Sequence, residues 1–495
     1  MQGNKSLLIS SLLFIGAAGL WGVLDPETAL SVSNRIVDRM FESRGWFVML
    51  TVSGLLAFCL WLAASRFGKI RLGADDERPE FSTPAWLAML FSAGMGVGLL
   101  FWAAAEPLTH YRHASVFLPK PLAAEQAIIA TLFHWGIHAW AVYGATALAI
   151  AYFAFRRGTP MLVSAPLNSL FPGETWARII GWITDFLAIA AIAIGVSGSI
   201  AMGVFQVADG IDFMMGGDGA GSRIIWAVFA ALVLCYLPPL LVDLGDGMSR
   251  LSNIAMGLAL FLVVFVVLAG PTEFMLNSVL NGFGLYLAEV IPRGLQTFTF
   301  FDDTVGRWFK DWTLTYMVWW IAWGPFVGVF IARISRGRTI REFVLGVLFV
   351  PTAFSIVWFG VFGGIGLFDT LQGNGDLLNL TQSNVERVTF DVLNRLPLSG
   401  LTALVTVAAA FLFIITSVVS AAFVLGTFST GGDPDPRRKV RLLWGLLLAV
   451  LGGAMILSGT IDAVKSFIAL GALPFVFVIV LLVVCLARAI IWEDS

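Results

Sequence analysis

Charge is scarce in this sequence. Only 13% of its 495 residues are Asp, Glu, Lys or Arg, about half the roughly 25% that a solvated chain carries, while 58% are hydrophobic and the mean hydropathy is +0.87. A chain so poor in charge cannot cover itself with a wetted surface, which excludes an ordinary soluble protein and makes the lipid bilayer its main solvent. Neither sign dominates: the net charge is −2, so the basic field that nucleic acid requires is missing and no nucleic acid partner is expected. Cysteine is nearly absent. Cys59, Cys235 and Cys485 each sit in an apolar run, with no CxxC pair and no disulfide framework to read. The four histidines include no HExxH. Acids inside apolar runs are functional suspects by default, but Glu106, Asp185 and Asp243 have no nucleophile or metal cluster beside them, so an enzyme is not expected. Glu106-Pro107 reads as a capping pair at the end of a span.

What is plentiful is apolar length. A helix needs about 20 apolar residues to cross roughly 30 Å of hydrocarbon, and twelve such runs stand out, near 7–24, 46–66, 84–108, 127–153, 179–206, 224–244, 250–269, 312–334, 343–368, 399–426, 440–459 and 466–488. The first lacks an A-x-A cleavage site and reads as a membrane helix, not a removed signal. The densest basic clusters, Arg333 to Arg341 and Arg437 to Arg441, fall on one side of this threading. By the positive-inside rule that side is the cytoplasm, with both termini. The reading is an all-α polytopic protein of a bacterial-type inner (plasma) membrane. Residues 1–80 supply two N-terminal helices and a cytoplasmic loop. Residues 81–270 and 312–495 supply spans 3–7 and 8–12, and 271–311 a periplasmic amphipathic connecting helix that mixes Leu280, Phe283, Leu285, Leu287 and Val290 with polar residues.

Spans that break the rules for lipid-facing helices point to function, because irregular backbone at membrane depth survives only inside protein or beside a cavity. The third span carries Ser92-Ala93-Gly94-Met95-Gly96-Val97-Gly98. Glycines at alternate positions lower helix propensity by about 1 kcal/mol each, so Gly94, Gly96 and Gly98 predict an unwound segment. The eighth span carries Trp319-Trp320-Ile321-Ala322-Trp323-Gly324-Pro325, where the proline predicts a second interruption. Spans three and eight lie five apart, the spacing of two inverted five-helix repeats that each begin with a broken helix.

Tryptophans of membrane proteins gather at the two interfaces, which accounts for Trp21, Trp46, Trp312 and Trp492. It does not account for Trp135, Trp140 and Tyr143 in the middle of the fourth span, or Trp319, Trp320 and Trp323 in the middle of the eighth. At about 100° per residue, each trio keeps to one sector of its helix. Two such sectors facing each other make a box of ring faces, which binds a cation without a counter-charge at about 0.5–2 kcal/mol per ring. A quaternary ammonium is the guest best suited to it, since it donates no hydrogen bonds. In the tenth span, Phe413-Ile414-Ile415-Thr416-Ser417 brings two hydroxyls to membrane depth. They suit either helix back-bonding or a hard cation such as sodium.

The runs MVWWIAWGPFVGVFIARISRGRTIREF (317–343), AGMGVGLLFWAAAEPLTHY (93–111) and FHWGIHAWAVY (133–143) resemble the betaine/carnitine/choline transporter (BCCT) family, across all twelve spans. The resemblance implies a leucine-transporter-like fold with inverted repeats at spans 3–7 and 8–12, and a homotrimer. It implies an aromatic box of Trp135, Trp140, Tyr143, Trp320 and Trp323, bordered by Trp319, with Ala93 and Met95 touching substrate and Phe101 near the ion and substrate path. It also implies a coupling Na+ held by the carbonyls of Ser92, Met95 and Phe413 and the hydroxyls of Thr416 and Ser417. Sodium-independent exchangers of the family place a Met where this chain has Val327, which favours sodium coupling. Met317, Gly324 and Val418-Val419 depart from residues common in the family, and so leave the particular substrate open. The expected function is therefore a sodium-coupled symporter importing a compact onium zwitterion or cation (glycine betaine, choline or dimethylsulfoniopropionate), with no organic cofactor. The alternative is a sodium-independent antiporter of the carnitine type.

Overall fold

A computed structural model describes residues 5–94, 96–242, 245–373 and 375–493. Among these the secondary structure is helical throughout, with one isolated bridge between Arg71 and Thr339 in place of any strand. In chain order the α-helices are α1 (Lys5–Leu24), α2 (Pro26–Ala64), α3 (Thr83–Gly94), α4 (Val97–Ala114), α5 (Lys120–Trp135), α6 (Ile137–Ala151), α7 (Ala165–Leu170), α8 (Thr175–Met214), α9 (Ser222–Tyr236) and α10 (Gly245–Ala269). They continue as α11 (Thr272–Gly294), α12 (Asp303–Trp308), α13 (Thr315–Ile334), α14 (Ile340–Gln372), α15 (Asp376–Ser383), α16 (Val388–Asn394), α17 (Ser399–Ser429), α18 (Arg438–Leu457), α19 (Ile461–Ala472) and α20 (Phe475–Glu493).

Twelve helical stretches among the described residues are long and apolar enough to cross a bilayer, the number read from the sequence. Their membership differs in one place. The third expected span is cut into α3 and α4, neither of which qualifies by itself, whereas α11 does qualify. That helix keeps Met275, Gly282, Tyr286 and Val290 buried and turns Leu276, Leu280, Phe283, Leu287 and Ile291 outward. Such an apolar ridge suits lipid contact along the length of the helix.

Local signals set several boundaries. Asp25 caps α2 by accepting from the Thr28 N–H, and Pro26 occupies its first turn, where a missing N–H costs nothing. Thr339 and Glu342 form a reciprocal capping box at the start of α14. Just before it, the backbone of 337–340 pairs with that of 70–72, and Gly337 adopts φ +79, a left-handed conformation that favours glycine. At the centre of the bundle α6 is buried at every residue. It packs along α13, with Gly328 backed onto Thr146, where a Cβ would come within 2.9 Å of the threonine methyl.

Two readings of the spans change. The helix does not break at Gly324-Pro325: α13 runs through Pro325 to Ile334. Its irregularity comes earlier, as a π-helical turn over Phe309–Leu314. A second break lies instead in the fourth span. Gly136, at φ −96 and ψ −154, separates α5 from α6. Trp135 and the pair Trp140/Tyr143 thus belong to different helices, and the single-helix sector drawn through them does not apply.

Candidate functional site

The glycine-rich run breaks as its composition dictates. Ser92, Ala93 and Gly94 form the last turn of α3, Gly96 is extended (φ −114, ψ −170), and α4 starts at Val97 with no side chain of the described residues capping its amides. Met95 lies outside the described residues. Against this break lies a cavity lined by Gly96, Val97, Gly98 and Leu99, by Trp135 and Tyr143, by Ser199 of α8, and by Tyr316, Trp319, Trp320 and Trp323 of α13. Its volume of about 60 Å³ holds roughly four to six water-sized groups at about 10–15 Å³ each.

The cavity walls are ring on ring. Trp135 meets Trp320 edge to face at 5.2 Å between centroids, and Tyr143 meets Trp320 at 5.4 Å. Tyr316 lies 5.9 Å from both Trp135 and Trp319. Trp140, buried and edge-on to Tyr143 at 5.6 Å, stands behind the wall and fixes that tyrosine without lining the cavity. Phe101 is also set back, packed on Trp102 at 4.7 Å. The structure therefore brings Trp135, Tyr143, Trp319, Trp320 and Trp323 together around one space with Gly96 and Gly98, and adds Tyr316 and Ser199, which the sequence reading did not single out. The Trp323 Nε1 is buried without a hydrogen-bond partner among the described residues, on the side of the ring that packs against Gly195 of α8.

The break at Gly136 is built from neighbours. The Ile137 N–H donates to the Tyr286 hydroxyl of α11 at 2.8 Å, and Trp320 Nε1 donates to the His134 carbonyl at 2.8 Å. These two bonds satisfy groups that an unbroken helix would have paired internally. A Cβ on residue 136 would overlap the Tyr286 hydroxyl and approach the Leu132 carbonyl to 2.6 Å, so glycine is required by close approach.

Glu106 is not a span-end cap. It sits in the middle of α4, fully buried. As an ionised carboxylate it accepts from His134 Nδ1 at 2.7 Å and His110 Nε2 at 3.2 Å on Oε1, and from the Tyr316 hydroxyl at 2.6 Å and Trp135 Nε1 at 2.8 Å on Oε2. The Glu106/His110 spacing of four along one helix was the available signal, together with the general suspicion that attaches to a buried acid. Glu106, His110 and His134 bring one ligand atom each within 4.8 Å of one another, the density of a metal site. Yet His110 Nδ1 accepts from Trp308 Nε1 at 3.1 Å and His134 Nε2 contacts Thr313 Oγ1 at 2.9 Å. With both imidazoles engaged at both nitrogens and the carboxylate holding four donors, the set fits a closed hydrogen-bond network and not a cation. Of the other two acids, Asp185 accepts from the Ser164 N–H at 2.9 Å, and Asp243 lies outside the described residues.

The hydroxyl pair of the tenth span lies on unbroken α17. Thr416 Oγ1 donates to the Phe413 carbonyl at 3.1 Å, the back-bond open to any helical threonine. The oxygen keeps lone pairs for a cation. At the N-terminal end of α13, away from Arg333–Arg341, a larger vestibule of about 830 Å³ is lined in part by Trp102, Asp311, Trp312, Glu386, Asp462 and Lys465. The Lys465 ammonium lies 4.0 Å from the Trp312 ring and 5.1 Å from Trp102. Trp312 stacks on Tyr316 at 6.0 Å, which links the vestibule wall to the cavity wall.

A multi-pass helical membrane protein with a ring-lined cavity against a broken helix, and a vestibule whose wall stacks on that of the cavity, has the build of a secondary transporter. The family model described as BCCT, betaine/carnitine/choline family transporter, matches residues 6–494, and the chain belongs to that family. It is a transporter and not an enzyme. The glycine betaine transporter OpuD of Bacillus subtilis (strain 168) is 39% identical, over 97% of this chain and 94% of its own length. A probable glycine betaine transporter of Desulfitobacterium hafniense (strain Y51) is 36% identical over 97% and 96%. The betaine/ectoine transporter LcoP of Corynebacterium glutamicum is 35% identical over 98% and 78%.

Proposed function

We propose that this chain is a sodium-coupled importer of a compact onium solute, with glycine betaine the first candidate and choline or dimethylsulfoniopropionate the others. The observation that carries the reading is the cavity itself, where Trp135, Tyr143, Trp319, Trp320 and Trp323 share one space of a trimethylammonium's scale. Each ring face adds about 0.5–2 kcal/mol of attraction for a cation, most when water is excluded. A carboxylate at the other end of the solute would meet the amides that begin α4, where a helix N-terminus favours an anion. The names of the relatives point to the same solute class.

Sodium, as the co-transported ion, would use the carbonyl end of α3 at Ser92, with Met95, together with the Phe413 carbonyl and the hydroxyls of Thr416 and Ser417. Helix C-termini and hydroxyl oxygens suit a hard cation. Bound there it favours the conformer in which the glycine-rich break faces the box, which couples ion to solute. Rocking of one repeat against the other then exchanges access between the two sides. In this reading the termini are cytoplasmic and the protein is a homotrimer.

The test is tryptophan-fluorescence titration of purified protein with glycine betaine, with and without sodium, alongside uptake into proteoliposomes under a sodium gradient. The expected result is binding that tightens with sodium and weakens about tenfold or more in Trp320→Ala, the loss of one desolvated ring. Unchanged affinity in that variant would remove the box assignment. Uptake that ignores the gradient would remove the coupling.

A further inference from the structure

Glu106 holds more of the cavity than its position behind the wall suggests. Two of its four donors, Trp135 Nε1 and the Tyr316 hydroxyl, belong to residues that line the cavity. The other two are histidines whose remaining nitrogens are taken up by Trp308 and Thr313. The indole N–H of Trp308 can only donate, which assigns the His110 proton to Nε2 and makes it a donor to the carboxylate. Four donors fill the four lone-pair positions of an ionised carboxylate and leave no acceptor for a carboxyl proton to seek at Trp135 or His110. One carboxylate thus ties α4, which starts at the glycine-rich break, to α5, which ends at the Gly136 break, and to α13, which carries three of the wall tryptophans. Among the described residues its salt-bridge partners are those two histidines, with no Lys or Arg. Its charge is therefore shared out only through hydrogen bonds. A bond from an indole or phenol to an anion polarises the ring, in the way that linked hydrogen bonds reinforce one another, and makes the ring a stronger partner for a cation on its face.

We propose that Glu106 is the positioning residue of the box: it fixes Trp135 and Tyr316 and, through them, gives the cavity its preference for an onium group over a neutral group of the same shape. This rests on the reading of the cavity as an onium site. The preference separates the role from mere support, because loss of support would weaken charged and neutral ligands alike.

The experiment compares choline with its uncharged carbon isostere, 3,3-dimethylbutan-1-ol, by fluorescence titration of the wild type, Glu106→Gln, Glu106→Asp and Tyr316→Phe. The wild type is expected to prefer choline by about tenfold or more. Glu106→Gln keeps the shape but loses the charge, and should lose about tenfold for choline, since bonds to charged groups are the strong ones, with a much smaller loss for the isostere. Glu106→Asp keeps the charge and should retain the ratio while weakening both ligands. Tyr316→Phe keeps the ring, deletes one donor, and should narrow the ratio by about threefold. A wild-type ratio in Glu106→Gln overturns the proposal even if both affinities fall. If that variant does not fold, an unchanged ratio in Tyr316→Phe overturns it. A wild type with no preference for choline sinks the onium-site reading instead, whatever the variants do.

Discussion

Two helix breaks border the aromatic cavity, and they are held open by opposite means. Between α3 and α4 the cause is local: the glycine run weakens the helix, Gly96 is extended, and a Cβ built on it meets nothing within 4 Å among the described residues. Between α5 and α6 the cause is tertiary. A single glycine sits under the Tyr286 hydroxyl, its flanking groups are bonded by Tyr286 and Trp320, and Glu106 holds both His134 and Trp135 beside it. A break made by composition leaves its surroundings free, while one made by packing is fixed by everything that touches it. The difference can be graded by placing one methyl group at successive glycines.

The largest effect belongs to Gly136→Ala. Its methyl would overlap the Tyr286 hydroxyl and crowd the Leu132 carbonyl. Overpacking of this kind costs about 1–3 kcal/mol, and here the strain falls on the peptide that joins Trp135 to α6. A thermal-shift assay should show a lower midpoint, and solute binding should weaken by about tenfold or more. A variant that melts and binds like the wild type would mean that the second break is not enforced by packing, and the comparison would collapse.

The same contrast governs how much could be read from the sequence. Gly94, Gly96 and Gly98 announce their break because the cause lies in neighbouring residues, and the two aromatic trios announce themselves by standing at mid-span. Gly136 is one glycine in FHWGIH, and Tyr286, the residue that makes it a break, lies 149 positions beyond the neighbouring Ile137. Glu106 looked like a cap because a span drawn by hydropathy ends near 108, whereas α4 continues to Ala114 and all of the acid's partners but His110 come from 28 to 210 positions away. Pro325 misleads in the other direction. A proline inside a membrane helix can be tolerated when neighbouring helices support the freed backbone, and α13 lies between α6, α8 and α19. Local backbone chemistry was legible; polar bonds across the fold were not.

Gly98→Ala should have an intermediate effect of a different kind. Its Cβ would lie 3.3 Å from Trp135 Cη2, so a ring of the box must give by a few tenths of an ångström. Strain at the low end of overpacking, about 1 kcal/mol, corresponds to about fivefold in Kd. It should appear in solute titration while the melting midpoint barely moves. A fall in midpoint as large as that of Gly136→Ala would place packing at the first break as well, and blur the distinction.

Gly96→Ala should have the smallest effect, and it is the most exacting case because two small terms oppose each other. The extended backbone at φ −114 and ψ −170 is open to alanine, and at compatible sites Gly→Ala stabilises by about 0.4–1 kcal/mol through the unfolded chain. Alanine also favours closing the break into a helix by about 1 kcal/mol relative to glycine, which works against the open segment. With no atom of the described residues in the way of the new methyl, the terms nearly cancel. The midpoint should stay within about a degree or two and equilibrium binding within about twofold. Any change should fall on uptake rate, where the ease of bending at residue 96 counts. A large drop in midpoint or binding would show that the first break, too, is held by its neighbours. A faster or slower turnover at unchanged Kd would instead mark this break as the one that moves during transport.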